Sequence, residues 1–318
     1  LFFNDTATTE IYTALNTLSL HDALPISRTA CPGHDSLARA NECLACRTQQ
    51  TQQKEMTTGA LIFAFDNEQT DYVSMAAWSA KNIHRHLGIP VAVVTDYENP
   101  LGDFDYVINS QAQSGGTRYF EDYNQTVTWN NASRVDAYTL SPWERTLVLD
   151  ADYVVASSDL KTILECDTDF MCHKTAVNLA GGHPLTGLNV FGRHNIPMYW
   201  ATVMMFRRSN TAQYIFDCMN MIRDNWQHYR DLYGIDKKTY RNDFALTIAV
   251  GIVSGHTGQI DQIPWPLWTA MPDTVLTSNG PDYYTINYLD NNQTPKNMGW
   301  TGMDFHAMGK RHLEMIIA

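Results

Sequence analysis

The stretch Thr146-Leu-Val-Leu-Asp-Ala-Asp-Tyr-Val-Val155 decides how the rest of the chain is read. An apolar run leads into Asp150-Ala151-Asp152, and more apolar residues follow. In an extended chain successive side chains alternate, so Asp150 and Asp152 point one way and Ala151 the other. Two same-facing carboxylates at the end of a buried strand are poorly explained by packing, because unpaired buried charge is costly. A divalent cation removes that cost. Mg²⁺ and Mn²⁺ take oxygen ligands and are usually held by one or two carboxylates together with substrate phosphates. Two readings stay open on this stretch alone: a metal held against a nucleotide diphosphate, and a strand followed by an acidic turn.

Composition narrows the class. With 318 residues the chain can form one large domain or two small ones. Hydrophobic residues at 44% and charged residues at 18% describe an ordinary globular protein. No apolar run approaches the ~20 residues that span a bilayer. A formal charge of −12 disfavours nucleic acid as a partner, while leaving room for a local basic pocket. Of six cysteines, Cys31, Cys43 and Cys46 lie near the start and Cys166, Cys172 and Cys218 in the body. Such a scattered set suggests reduced thiols and a cytoplasmic setting. Cys43-Leu-Ala-Cys46 has no second pair at zinc-site spacing, which makes it a weak metal signal.

Residues 1–55 differ from the remainder. Phe3 to Thr13 and Leu18 to Ser27 resemble translated sequencing-adaptor read-through. The Gln-rich segment 49–54 has linker composition. The expectation is a non-native or disordered extension with the natural start at Met56; a genuine extension is the alternative. From Met56 the pattern becomes regular and reads as a single domain. Ala60–Phe65, Val91–Val94 and Phe104–Ile108 read as short buried strands, and residues 69–87 carry a helical apolar stripe closed by Gly88. Strands alternating with helices imply an α/β fold with a mainly parallel sheet. Ligands bind such sheets beyond the carboxyl ends of the strands, where Asp66, Asp96 and Asp150 fall. Further expectations are a mobile loop over 110–130, a helix over 133–140 carrying Arg134, and a capped helix from Asp159-Leu160. Residues 175–196 read as loop, Met198–Phe206 as a strand, Ala212–Tyr229 as one helix and Phe244–Val250 as another. Residues 255–300, rich in Pro, Trp, Tyr and Asn, read as an acceptor-side or lid region.

Taken in order, the strand ending in Asp66-Asn67, the basic Arg134, the Asp150-x-Asp152 strand, Asp243 before a helix and His306-x-x-Gly309-Lys310 resemble one family. The likeness is to GT-A-fold nucleotide-sugar glycosyltransferases, family 8, the glycogenin and galactinol-synthase group, and spans about residues 58–312. It implies a Rossmann-like sandwich that moves a sugar, with retention, from a nucleoside-diphosphate sugar, a UDP-sugar above all, to an acceptor it leaves unidentified. Phe65, Asp66, Asn67 and Tyr72 then match the segment that contacts the nucleoside. Arg134, sixteen positions before Asp150, matches a basic residue reaching the donor. Asp150 and Asp152 match the metal pair around Ala151, and His306 the third metal ligand. Asp243 matches an aspartate on the donor sugar, and Lys310 after Gly309 the diphosphate lysine. Two departures stand out. Lys310 directly follows Gly309, where the family spaces the lysine further on, so Arg311 competes for the role. The family's Asn-x-Gly strand is replaced by Tyr199-Trp-Ala-Thr202.

The implied chemistry needs these residue types. Negative charge builds on a departing nucleoside diphosphate, and a Lewis-acidic metal with nearby cations stabilises it where catalysis benefits. A neutral imidazole ligand favours Mn²⁺ over Mg²⁺. Plain structural roles remain open for each residue: Arg134 paired with Asp136 or Glu144, Asp243 as a helix N-cap, Lys310 as surface charge. Trp265, Trp268 and Trp300 read as core or lid packing before sugar-stacking faces, although stacking is physically reasonable. Two other functions stay in view: a sugar-phosphate nucleotidyltransferase, and a non-catalytic nucleotide-sugar-binding protein. The first is disfavoured because residues 64–71, after the first strand, hold neither Gly nor Lys for a phosphate loop.

Overall fold

Leu61-Ile-Phe63 and its neighbours are buried on both faces, which places this strand at the centre of a sheet covered on both sides. The structure, a computed structural model, describes residues 58–256, 260–290 and 292–318; the expectations for residues 1–55 and Met56 lie outside them. The main sheet contains, in chain order, β1 (Thr58–Phe63), β2 (Val91–Thr95), β3 (Tyr106–Asn109), β4 (Arg145–Asp150), β5 (Phe170–His173), β6 (Trp200–Arg207) and β7 (Asp261–Gln262). Their spatial order is β7-β5-β6-β4-β1-β2-β3. Only β6 runs against its neighbours, β4 and β5; all other pairs are parallel. The fold class is therefore the expected one, an α/β sandwich with a mainly parallel central sheet.

Four helices matter for the site. The first, α1 (Tyr72–Leu87), starts at Asp71, whose carboxylate accepts the Ser74 N–H at 2.7 Å, and stops at Gly88 in the left-handed conformation (φ 65°). Next, α2 (Asn210–Asp224) is capped by Ser209, whose hydroxyl accepts the Ala212 N–H. The third, α3 (Asn242–Val253), buries almost every residue of its first half, and α4 (Lys310–Ile317) closes the chain.

Several local expectations change. Residues 110–130 hold a hairpin, Thr117–Phe120 with Gln125–Thr128, because both strands are rich in β-branched and aromatic residues. The Arg134 segment is a 3₁₀ turn over Ala132–Asp136 that becomes α-helical only at Ala137–Leu140. The presumed single helix 212–229 breaks at Asn225, and a second helix runs over Trp226–Tyr233. Asp159 precedes the helix Leu160–Glu165 without a side-chain capping bond; instead Ser157 accepts the Asp159 N–H. Residues 175–196 contain short strands, including Ala176–Asn178. Within 255–300, the strands Val275–Ser278, Tyr283–Leu289 and Pro295–Thr301 form an antiparallel meander. Trp268 and Trp300 pack edge to face there, with centroids 5.3 Å apart.

His173 sits fully buried in β5. Its Nδ1–H donates to the Trp265 carbonyl at 3.1 Å, and burial pulls the ring down to about 4. The unfolded ring takes up its proton near pH 6.5, the folded one only near 4, so stability is full above 6.5 and falls as pH drops through this window. The expected loss from this residue is roughly 3 kcal/mol. Denaturant unfolding of wild type against His173→Asn, which keeps a donor for Trp265 but does not titrate, isolates that slope. Equal slopes between pH 6.5 and 4 contradict the assignment.

Candidate active site

β4 carries Asp150 at its last position, in register with Phe63 of β1, so the carboxylate emerges at the carboxyl end of the parallel strands. The strand then ends. Ala151 and Asp152 form a turn rather than a continued strand, so strict alternation fails and Ala151 faces the same cavity as the two aspartates. The next two residues, Tyr153–Val154, pair antiparallel with Phe305–Ala307, setting His306 opposite Tyr153. The Ala307 N–H donates to the Asp152 carbonyl at 3.0 Å. A buried Asp304 locks the same junction, its carboxylate accepting the N–H groups of Ala156 and Ser157 at 2.8 Å each. These contacts bring a residue more than 150 positions away beside Asp152, with His306 Nε2 and Asp152 Oδ1 3.5 Å apart.

Ligand atoms of Asp150, Asp152 and His306 all lie within 4.8 Å of one another. Two carboxylates and an imidazole are a donor set that suits Mn²⁺ or another first-row divalent cation. His306 is buried and its Nδ1 has no protein partner. The three residues fit a metal.

Each carboxylate also has a cation. Arg134, 2% exposed, donates to Asp150 and sends a second N–H to the Ala201 carbonyl at 3.0 Å. Lys310 donates to Asp152 and to the Ala307 carbonyl at 3.0 Å. Burial opposes ionisation of Asp152, but the Lys310 ammonium and the His306 ring outweigh it and hold the carboxyl well below the usual range. Arg134 does not pair with Asp136, which binds Arg223. Arg311 is exposed, so Lys310 alone of the two basic residues reaches the site.

β6 is irregular opposite β5: Trp200 pairs with His173, and pairing resumes only at Met204 with Cys172. Buried main-chain groups must be satisfied, and the Ala201 peptide finds side chains instead of a strand. Asp243 Oδ1 accepts the Ala201 N–H at 3.0 Å while Arg134 takes its carbonyl. Asp243 is not the N-cap of α3, a position held by Arg241; it lies inside the first turn and accepts from Arg241 at 2.7 Å. Burial raises the Asp243 carboxyl, but Arg241, the Ala201 N–H and Arg118 bring it below its ordinary value.

All of this opens on one cavity of about 680 Å³. Phe65, Tyr72, Arg134, Asp150, Ala151, Asp152, Asp243, His306 and Lys310 line it. Asp66, Asn67 and Gly309 do not. Asp66 accepts the Val73 N–H at 3.0 Å and the Tyr97 hydroxyl, and Asn67 accepts the N–H groups of Gln69 and Thr70, so both shape the turn into α1. Gly309 is the residue before α4. Trp200 and Thr202, from the segment that departs from the family pattern, line the wall; Trp265, Trp268 and Trp300 do not.

The sequence reading missed one whole side of the cavity: Arg118 and Trp129 on the hairpin, and Lys237, Lys238, Thr239 and Arg241 before α3. The signal was available in Lys237-Lys-Thr-Tyr-Arg241, a dense basic run in an acidic chain. The two segments are tied by Tyr240 N–H to the Gly115 carbonyl at 3.3 Å and Thr239 hydroxyl to the Thr117 carbonyl at 2.8 Å. Gly115 is required, since a Cβ there would meet the Trp129 ring at 2.2 Å. Arg118 lies over that ring, 3.9 Å from its centroid.

No family model and no curated protein sequence matches the chain. Solved structures do. The glycosyltransferase GlyE of Streptococcus pneumoniae TIGR4 aligns at 13% identity and a TM-score of 0.37, over 65% of this chain and 45% of that one. The galactosyltransferase LgtC, in complex with donor and acceptor sugar analogues, aligns at 12% and 0.36, over 60% and 70%. A Bacillus anthracis protein named as a glucose-1-phosphate thymidylyltransferase aligns at 8% and 0.31, over 64% and 97%. The chain thus spans under half the length of GlyE, and TM-scores below 0.5 carry no argument about its activity.

Removing Asp150 strands the buried Arg134. A fully buried pair broken on one side costs about 3–5 kcal/mol. Asp150 is 22% exposed at its side chain, so Asp150→Ala is expected to cost somewhat less, about 2–4 kcal/mol. Arg134→Met/Asp150→Leu removes both charges and should lose clearly less than Asp150→Ala. Urea unfolding of the three proteins checks the order; equal losses would mean the pair is not coupled.

Proposed function

We propose that the chain is a metal-dependent glycosyltransferase of the GT-A type, moving a sugar from a nucleoside-diphosphate sugar to an acceptor. The observation that carries this is the convergence of Asp150, Asp152 and His306 on one cavity that also receives Arg134 and Lys310. A metal and two cations around the end of a parallel strand suit a leaving group with two or three negative charges. Asp150, Asp152 and His306 would hold a divalent cation, with Mn²⁺ favoured by the imidazole. When bound, that cation supplies Lewis acidity to the diphosphate oxygens.

The chain's own residues do the rest. Lys310 and Arg134 direct charge at the diphosphate as its bond to the anomeric carbon breaks, the acceptor hydroxyl oxygen bonds to that carbon, and the hydroxyl proton passes to the departing phosphate oxygen. Asp243, engaged by the Ala201 N–H and Arg241, fixes the wall where the donor sugar would lie. Phe65 and Tyr72 offer aromatic surface for the base. The likeness to family 8 adds a UDP-sugar and retention at the anomeric carbon to the proposal. Residues 64–71, lacking Gly and Lys, weigh against the nucleotidyltransferase. No described helix is long and apolar enough to cross a membrane.

Thermal unfolding with nucleoside diphosphates, with and without Mn²⁺, tests the reading. A ligand at ~100 times its Kd stabilises by roughly 2.7 kcal/mol, a shift of several degrees. The expected shift needs both ligands together and is lost in His306→Gln. This variant is preferred because substitution of either aspartate also unpairs Arg134 or Lys310. No shift with any nucleoside diphosphate, together with no hydrolysis of any sugar nucleotide, would favour a non-catalytic role. A shift unchanged in His306→Gln would dismiss the three-ligand site.

A further inference from the structure

We infer that the acceptor is anionic, a sugar or polyol bearing a phosphoryl or carboxylate group, and that Arg118 and Lys237 receive that group. The inference rests on the transferase reading and deepens it. It follows from how charge is distributed around the cavity, which six basic and four acidic side chains line.

Three of the six cations are already answered. Arg134 faces Asp150, Lys310 faces Asp152 and Arg241 faces Asp243. A divalent cation on the aspartates would then offset the diphosphate of the donor. Arg118, Lys237 and Lys238 are surplus to that. Among the described residues none of the three has a carboxylate within ion-pair distance, although Glu121 also borders the cavity. Arg118 makes one long hydrogen bond, 3.5 Å to the Tyr240 carbonyl, and its Nε–H has no protein acceptor.

The cluster is built rather than incidental. The Trp129 ring supports the Arg118 guanidinium from below, and Trp129 in turn packs on Tyr240, centroids 5.8 Å apart. Tyr240 belongs to the same segment as Lys237, so hairpin and segment hold the cations together. Like charges side by side in one cavity repel; although Lys237 is exposed, its ammonium is lowered by partial desolvation and then by Arg241 and Arg118. Glu121 borders the cavity and Asp243 acts on Arg118 from a distance, yet neither lies within ion-pair distance of Arg118 or Lys237. A neutral acceptor leaves that repulsion standing; an oxyanion bound by Arg118 and Lys237 removes it. Beside them Asn242, 5% exposed, donates to the Asn131 carbonyl and leaves its Oδ1 without a protein donor, a place for an acceptor hydroxyl.

The test is thermal unfolding at fixed ionic strength with glucose, glucose 6-phosphate and glucuronate, each with and without saturating nucleoside diphosphate and Mn²⁺. The expected result is an added shift from the charged sugars, on top of the nucleotide shift, and none from glucose. A shift from the phosphate alone marks a phosphoryl acceptor; shifts from both charged sugars mark an oxyanion of either kind. In Arg118→Gln/Lys237→Gln the charged-sugar affinity should fall at least tenfold while the nucleotide shift, which also reports correct folding, persists. Three results overturn the inference: no added shift beyond glucose, a charged-sugar shift that disappears once nucleotide saturates, or a shift undiminished in the double variant. A charged-sugar shift without any nucleotide shift leaves the anion site standing and overturns the transferase reading alone.

Discussion

Two carboxylates delivered to the end of a buried strand must be compensated, and the cavity is arranged around that requirement. Asp152 is 5% exposed and Arg134, the partner of Asp150, 2%. Charges so poorly solvated persist only in mutual contact or with a metal. Lys310 and Arg134 meet the requirement from opposite directions in the chain, one from the last helix and one from a 3₁₀ turn before β4. The pairing with Phe305–Ala307 therefore does more than extend a small sheet. It supplies the His306 ring and, three residues on from Ala307, the ammonium that keeps Asp152 ionised.

The same economy appears in β6. A regular antiparallel strand between β4 and β5 would use the Ala201 peptide in its ladder. The irregularity between Trp200 and Met204 hands it to Arg134 and Asp243 instead. Each side chain thus has one end fixed by the main chain and the other directed at a charged neighbour, Asp150 for Arg134 and Arg241 for Asp243. Fixed side chains need little reorganisation when charge develops, which is what electrostatic stabilisation of a leaving group demands. An Asp243 that served only as a cap could be replaced by serine; one that spans Ala201 and Arg241 cannot.

Much of this was legible before any coordinates. The apolar runs of β1, β2 and β4 have the length and composition of buried parallel strands, and Gly88 marks the end of α1 as a left-handed cap must. Asp150 and Asp152 stood out by their spacing at a strand end, His306 only through the family resemblance, and the fold brings ligand atoms of all three within 4.8 Å of one another. What was not legible depends on tertiary contact. Asp66 and Asn67 look like site residues at a strand end, but local N–H groups claim their side chains first. The hairpin 117–128 was hidden by the polar residues around its short strands, and with it Arg118, whose place depends on Gly115 and Trp129 flanking the hairpin and on Tyr240 from a distant segment. No periodicity encodes that meeting.

Net charge and local charge then act at different ranges. At physiological salt, fields of exposed charges are screened beyond about 8 Å, so an overall −12 weakly opposes an anionic donor at a distance and matters little at contact. At the cavity of about 680 Å³, buried charges such as Arg134 act with much less screening than the exposed ones. A cavity lined by more basic than acidic side chains, in a chain of negative net charge, discriminates by size as well as by sign. The net charge of −12 opposes a polyanion such as nucleic acid, whereas a compact anion can be held by the cavity's cations alone. On the proposed reading, a cavity lined by six basic and four acidic side chains suits a compact anion better than an extended one.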